Sequence, residues 1–226
     1  MNVTALSEIE RARFNMVEQQ VRPWGVLDQN VLDALFSVPR ERFVPTSMQA
    51  LAFSDVELPL VLNAVDTRET MLTPKVEARL TQELQLKPTD GVLEIGTGSG
   101  YQAALLAQLA QQVTSVEVDS RLAAFGEENL QRNHVNNVTV EVGDAHAGWG
   151  TTEYDAILLT GSVPVVPDAL KYQLRIGGRL VVVVGHTPVM TAVRIVRTSA
   201  ASFETTPLFD TIIKPLRGAA ISQFKF

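Results

Sequence analysis

The feature that most constrains the fold is the run from Val92 to Gln102, which reads Val-Leu-Glu-Ile-Gly-Thr-Gly-Ser-Gly-Tyr-Gln. It predicts a buried strand that ends in a glycine-rich turn and leads directly into a helix, Ala103 to Gln111. Glycine lets a backbone pass close to a ligand where a Cβ atom would collide, and the start of a helix offers unpaired N–H groups. Such a turn is typical of a site for a nucleotide-like cofactor.

Two classes of cofactor compete for this turn. A dinucleotide-binding fold has the pattern G-x-G-x-x-G/A, with a small residue where the helix packs on the strand. Here the third glycine, Gly100, comes one position early, and Tyr101 stands where a small residue is needed. The pattern is instead an acid, Glu94, followed by G-x-G-x-G, which is similar to motif I of class I S-adenosylmethionine (SAM) methyltransferases. Because a carboxylate repels pyrophosphate but suits a sulfonium and an ammonium, SAM is favoured, and an NAD-dependent oxidoreductase is the weaker alternative.

Two further strands are each predicted to end in an acid. Glu117 lies 117 − 96 = 21 positions beyond Gly96, about the spacing at which an acid reaches the ribose hydroxyls of a bound cofactor. Asp144 follows the next strand and could accept a hydrogen bond from an adenine amine, while the Ala145 N–H could serve a ring nitrogen. Since ligands of open α/β sheets bind outside the carboxyl ends of the strands, these groups are expected to form one site.

Composition excludes several other kinds of function. The chain has 226 residues, a net charge of −6 and no block of Lys or Arg, which argues against binding to nucleic acid or to an anionic membrane. The longest apolar run, Leu180 to Val184, is far shorter than the ~20 residues of a membrane-spanning helix. The absence of cysteine and the polar N-terminal segment predict a cytoplasmic protein without thiolate metal sites. Its three histidines show no metal-ligand spacing, so no metal is expected.

Strand and helix patterns alternate from residue 90 onward, which predicts a mostly parallel, doubly wound Rossmann-like α/β sheet. The expected elements of this part are strands at 91–95, 113–118, 138–142, 155–159 and 179–184, and helices at 101–111, 120–133 and near 167–174. Helices at 5–21, around 31–36 and from Pro74 onward predict an N-terminal helical cap, with 40–59 irregular. The tail is predicted to be β-rich, with strands at Thr191 to Thr198 and Thr211 to Phe226. We expect one compact unit with a cap and substrate loop at 1–88 and a SAM-binding α/β domain at 89–226.

From about residue 14 to 185 the chain resembles the protein-L-isoaspartate O-methyltransferase family. The matching segments are Met16–Gln20, Val38–Pro45, Ala52–Asp55 with Leu58-Pro59, Leu93–Ala104, Gly143-Asp144, Gly148-Trp149, Gln173-Leu174 and Gly177–Val181. The resemblance implies a class I methyltransferase fold, SAM as methyl donor, and a carboxylate of damaged aspartyl residues as methyl acceptor. It also implies a protein or peptide substrate, or another small acceptor, and a monomeric enzyme. The residues expected to contact SAM are Glu94, Gly96, Thr97, Gly98, Gln102, Glu117, Asp144 and Ala145.

The chain departs from the family pattern in its predicted substrate loop. The family's active-site serine position falls on Leu72, and the flexible glycines of the loop are absent. Arg68, Met71, Leu72 and Thr73 are the loop residues expected near the acceptor. An ionised carboxylate needs no general base, so no catalytic residue is assigned. The departure leaves one alternative open, a SAM-binding homologue without repair activity that acts on another substrate or as a sensor.

Overall fold

The computed structural model describes residues 7–219 of the protein. Its α-helices are α1 (Glu8–Met16), α2 (Gln29–Ser37), α3 (Pro74–Glu83), α4 (Tyr101–Leu109), α5 (Ser120–Arg132) and α6 (Asp168–Tyr172). Its strands are β1 (Leu58–Leu62), β2 (Val65–Met71), β3 (Gly91–Ile95), β4 (Gln112–Glu117), β5 (Val138–Val142), β6 (Tyr154–Leu159), β7 (Leu174–His186), β8 (Val189–Arg197) and β9 (Phe203–Asp210). None of the helices in this part of the chain has the length and apolar character to cross a membrane.

The seven strands β3 to β9 form one sheet in the order β5-β4-β3-β6-β7-β8-β9. The first five in this order run parallel, and β8 and β9 are antiparallel additions at the far edge. Strand β3 is buried along most of its length, as expected for a strand covered by helices on both faces. The strand order reverses at β3, so the carboxyl ends of β3, β4 and β6 border a topological switch point. The predicted class I methyltransferase sheet is confirmed.

The N-terminal segment packs on α4. Met16, Leu32 and Leu35 are fully buried and share one apolar cluster with Tyr101 and Leu105 of α4. Ser7 caps α1, accepting a hydrogen bond from the Glu10 N–H, and Asp28 caps α2 in the same way from the Asn30 N–H. The predicted helical cap is therefore present, and the division of the chain at residue 88 stays a prediction.

The stretch predicted as a substrate loop forms a β-hairpin over most of its length. Strands β1 and β2 pair antiparallel, with Leu58 opposite Met71 and Leu62 opposite Val65. Asn63 and Ala64 between them both have positive φ, 49° and 64°, which suits the right-handed twist of a two-residue hairpin. The sequence analysis predicted no strands here, although the apolar, β-branched residues that flank the turn favour them. The role of this stretch as a substrate loop stays a prediction.

The tail also differs from the prediction. The strand at Thr191–Thr198 is present as β8, but the next strand is β9, which ends before the predicted start at Thr211. Residues 211–219 form no strand and make only an isolated bridge between Pro215 and Ser162, while 220–226 lie outside the described residues. The backbone of this segment forms hydrogen bonds with Ser162, which lies just beyond the end of β6. From Ser162 the segment runs along the edge of the pocket described below.

Candidate functional site

A pocket opens at the carboxyl ends of β3, β4, β5 and β6. Of the residues predicted to contact SAM, Gly96, Thr97, Gly98, Gln102, Glu117, Asp144 and Ala145 line it, and Glu94 does not. The hairpin and the tail segment form the facing wall, which includes Leu60, Glu69, Met71, Leu72, Lys214 and Arg217. The structure therefore brings together on one surface residues that lie more than a hundred positions apart in the chain.

The turn after β3 is locked against β6. Gly96 has φ +100°, a conformation that residues with a side chain rarely adopt, and a Cβ atom here would lie 2.3 Å from the Thr160 Oγ1. The Thr160 hydroxyl lies 2.8 Å from the Gly96 carbonyl oxygen and 3.0 Å from that of Ile95. The space that a side chain would fill is thus taken by a hydroxyl that holds the turn in place.

Glu117 stands at the tip of β4 and faces this turn. One carboxylate oxygen accepts from the Gly98 N–H at 2.9 Å, and the other accepts from the Asp119 N–H at 3.1 Å. Burial raises the pKa of Glu117, and these two backbone hydrogen bonds oppose that effect. The carboxylate is therefore oriented by backbone groups, at the place where ribose hydroxyls were expected.

Asp144 and its neighbours form the end of the pocket at β5. The Asp144 Oδ1 accepts from the His146 N–H at 3.1 Å and lies 2.7 Å from the His146 Nδ1. This hydrogen bond with the His146 side chain is the main reason that the pKa of Asp144 is lowered. Ala145 is buried beside it, and His146 lines the pocket as well. The predicted adenine edge thus contains a carboxylate that is held ionised.

Glu94, expected beside the cationic groups of the cofactor, lies behind the pocket wall. It is fully buried, one oxygen accepts from the Ser115 hydroxyl, and the other has no hydrogen-bond partner among residues 7–219. The Ser115 hydroxyl in turn lies 2.6 Å from that of Thr97, which does line the pocket. Burial raises the pKa of Glu94 to about 8. Glu94 does not reach the pocket directly and is connected to it only through this chain of hydroxyls.

The four predicted substrate residues are divided between two environments. Met71 and Leu72 are buried and line the pocket. Arg68 and Thr73 do not line it: Arg68 is exposed on the hairpin, and Thr73 precedes α3 with its hydroxyl buried and without a partner among the described residues. Of these four residues, only the two apolar ones face the pocket.

Three charged residues of the facing wall were not predicted from the sequence. The Arg217 guanidinium contacts the Glu69 Oε1 at 2.6 Å and the Asp119 Oδ2 at 3.0 Å, and it donates to the Thr67 carbonyl oxygen at 2.8 Å. Lys214 lies 2.9 Å from the Glu69 Oε2. Arg217 and Glu69 are 148 positions apart, and no local pattern could have paired them. Together they fasten the tail to the hairpin at the pocket mouth.

A further acid, Glu77 on α3, also lines the pocket and was not predicted. Its only sequence signal is a charged residue between the apolar positions Val76 and Leu80 of an amphipathic helix, where a solvent-exposed face would be the usual interpretation. Within residues 7–219 no group of His, Cys, Asp and Glu side chains is arranged to hold a metal ion.

Comparison with known proteins shows to which family the chain belongs. The sequence profile of the family "Protein-L-isoaspartate(D-aspartate) O-methyltransferase" matches residues 7–220. The chain belongs to this family. A protein-L-isoaspartate O-methyltransferase of Methanoculleus marisnigri is 41% identical over 209 residues, which cover 92% of each of the two proteins.

Two solved structures are similar in fold. A protein-L-isoaspartate O-methyltransferase superposes with a TM-score of 0.78 at 25% identity, over 93% of this chain and 66% of that one. A putative enzyme of the same description from Plasmodium falciparum, solved in complex with S-adenosyl-L-homocysteine, has a TM-score of 0.75 at 18% identity, over 94% of this chain and 99% of its own. The family resemblance seen in the motifs is therefore confirmed over nearly the whole chain.

Proposed function

We propose that this protein transfers the methyl group of SAM to a carboxylate of damaged aspartyl residues in proteins. The observation that carries the proposal is the pocket at the tips of β3, β4 and β5, in which seven of the eight expected cofactor residues meet. Membership of the isoaspartyl methyltransferase family supports the reaction and the substrate class. The alternative of a homologue without repair activity receives no support from these relatives.

The residues of the pocket suit SAM. Glu117 offers a carboxylate for ribose hydroxyls, and Asp144 with the Ala145 N–H suits the adenine edge. The Glu117 carboxylate faces the glycine-rich turn, where it suits the positive charge of a sulfonium or an ammonium and would repel a pyrophosphate. The cofactor supplies an activated methyl group when bound. The residues of the protein orient it and keep its charged groups beside carboxylates.

The facing wall suits an acidic acceptor held in an apolar setting. Leu60, Met71 and Leu72 are buried and restrict water near the pocket interior. Lys214 and Arg217 at the mouth carry positive charge toward an approaching carboxylate, although both are paired with Glu69. An ionised carboxylate is already a nucleophile at neutral pH, so its placement about 3–3.5 Å from the methyl carbon is the main requirement. No side chain has to act as a base.

The test is methyl transfer from radiolabelled SAM to a peptide with one L-isoaspartyl residue, with the same peptide carrying normal aspartate as the control. We expect label to enter the isoaspartyl peptide alone. Binding of S-adenosylhomocysteine without label in either peptide would favour the homologue that lacks repair activity. Absence of binding to SAM and to S-adenosylhomocysteine would contradict the proposal as a whole.

The proposal includes a monomeric, cytoplasmic enzyme that acts on proteins or peptides and not on nucleic acid. The net charge of −6 and the absence of cysteine support it. Light scattering coupled to size-exclusion chromatography measures the oligomeric state, and a mass of twice the chain's would contradict the monomer.

A further inference from the structure

The end of the pocket farthest from Asp144 contains polar groups that the adenosine-binding residues leave unexplained. Across the sheet the order is β5, β4, β3, so Asp144, Glu117 and Gly96 follow one another in that direction. Beyond them, α3 packs in the same apolar cluster as residues of β3, β6 and β7. Under the proposed function, a cofactor with its adenine at Asp144 and its ribose at Glu117 directs its amino-acid arm toward α3. The residues of this end therefore decide how that arm is held.

Glu77 of α3 is the first of these residues. Its side chain is 5% exposed, and it lines the pocket. The Glu77 Oε2 is paired with the Arg40 Nη1, whereas the structure gives Oε1 no hydrogen bond from any of residues 7–219. Arg40 is completely buried and also donates to the carbonyl oxygens of Ala52 and Leu72. Arg40 thus fixes one oxygen of the carboxylate and leaves the other available to a ligand.

Gln102 of α4 is an independent sign of a missing donor. It is 5% exposed and lines the pocket, and its Oε1 is buried without a hydrogen-bond partner among the described residues. The orientation of the amide follows from its neighbour: the single hydroxyl hydrogen of Thr81 goes to the Glu77 carbonyl oxygen, so Thr81 must accept from the Gln102 Nε2 at 2.7 Å. The Oε1 is left as an acceptor. A buried acceptor without a donor is costly, and a bound ligand would relieve it.

Burial raises the pKa of two carboxyl groups at this end, Glu77 to about 7 and Glu94 to about 8, so a bound cation would stabilise their ionised forms. Glu94 lies behind the wall, and repulsion from Glu117 and Glu77 adds to the burial that raises its pKa. Arg40, the counter-charge of Glu77, does not line the pocket. The cations that do line it, Lys214 and Arg217, are both paired with Glu69. The inner end therefore combines carboxylates with an amide oxygen that lacks a donor. This combination suits a group that carries positive charge and several N–H donors.

We propose that Glu77 and Gln102 form the subsite for the α-ammonium group of SAM, with the Glu77 Oε1 and the Gln102 Oε1 accepting two of its N–H groups. The inference rests on the proposed function and adds to it the residues that recognise the amino-acid arm. Glu77 is then a specificity-determining residue, because an adenosine thioether without the amine gains no binding free energy from it.

The experiment is calorimetric titration of the full-length protein and Glu77→Gln with three ligands that differ at the arm. They are S-adenosylhomocysteine, its analogue with hydrogen in place of the amino group, and 5′-methylthioadenosine. Glutamine keeps an oxygen for Arg40 but turns an NH₂ group toward the pocket. We expect the variant to bind S-adenosylhomocysteine roughly tenfold to a hundredfold more weakly, the range of a charge-assisted hydrogen bond, and to bind the two ligands without the amine within about twofold of the wild type.

The matched control is Glu83→Gln, an acid on the same helix that pairs with Arg79 and Arg194 and does not line the pocket. It is expected to leave all three affinities unchanged. Gln102→Leu is the second test variant, and its loss should also be confined to the ligand with the amine. If Glu77→Gln weakens all three ligands equally, or none of them, the ammonium subsite is refuted. If the wild type binds none of the three, the proposed function itself fails.

Discussion

The two walls of the pocket are held by different kinds of interaction. The cofactor wall consists of the strand tips, where Glu117 is bonded to backbone N–H groups at most 19 positions away. The facing wall consists of the hairpin and the tail, where Glu69 and Arg217 meet across 148 positions through side-chain charges. Backbone contacts within a sheet resist salt and small changes of side chain, whereas half-exposed ion pairs are weak and are screened. We infer that the cofactor wall is preformed and that the facing wall is the adjustable one.

The largest expected effect is at the turn of the cofactor wall. Gly96→Ala places a Cβ atom 2.3 Å from the Thr160 Oγ1 in a backbone with φ +100°. We expect binding of S-adenosylhomocysteine to fall about a hundredfold, because the strained turn and the displaced hydroxyl together cost several kcal/mol. Calorimetry measures the loss. Gly150→Ala is the control, since Gly150 also has a positive φ, +58°, but has nothing within 4 Å of the added atom. Equal losses in both variants would show that the positive φ, and not the contact with Thr160 at this turn, is responsible.

The facing wall is tested by Arg217→Ala. Removing this guanidinium frees Glu69 and the Thr67 carbonyl oxygen, so we expect the KM for an isoaspartyl peptide to rise roughly threefold to tenfold, a partly exposed network being worth about 1 kcal/mol. The affinity for S-adenosylhomocysteine should change less than the KM. Arg121→Ala is the matched control, because Arg121 pairs with the same Asp119 as Arg217 does but does not line the pocket. A larger loss in cofactor affinity than in peptide KM would reverse the assignment of the two walls.

The pH dependence of ligand affinity tests the inner end of the pocket, where Glu77 lies. Burial outweighs the effect of Arg40 and raises the pKa of Glu77 to about 7. A ligand ammonium favours the ionised carboxylate, so affinity should increase with pH as Glu77 loses its proton, by up to about eightfold between pH 6 and 7.5. This window lies below the ordinary pKa of the ligand's own amine. The charged or titratable groups that interact with Glu77 are Arg40, Glu94 and Tyr101. An unchanged pH slope in Glu77→Gln would mean that another of these groups titrates.

The smallest effect is expected at the adenine end. His146→Ala removes the hydrogen bond that orients Asp144 and lowers its pKa, but the carboxylate remains ionised near pH 7 without it. We expect the affinity for S-adenosylhomocysteine to fall about twofold, as is usual for a half-exposed hydrogen bond. His186→Ala is the control, since His186 is exposed at the end of β7. A loss above tenfold would show that the His146 ring itself contacts the ligand.

Sequence reasoning was accurate where the chemistry is local. The G-x-G-x-G turn and the acids at the ends of β4 and β5 are each defined within a few residues of one strand, and parallel pairing then brings them together. The prediction was less accurate for Glu94. Side chains alternate along a strand, so Glu94 points to the opposite face of the sheet from its neighbours, and the sequence did not show that this face is buried. Sequence reasoning missed the hairpin, although the β-branched residues on either side of its two-residue turn favour strands.

The sheet, the cofactor class and the family can be predicted from the sequence, because hydrophobic periodicity and a glycine-rich turn act over short distances along the chain. Which side chains face the pocket from the other side follows only from the folded arrangement of the elements. Arg217 joins Glu69 and Asp119, and Arg40 aligns Glu77 with the pocket, through contacts between elements far apart in sequence. The pairing of long, charged side chains depends on where the backbone has already placed them, so it is known only once the chain is folded.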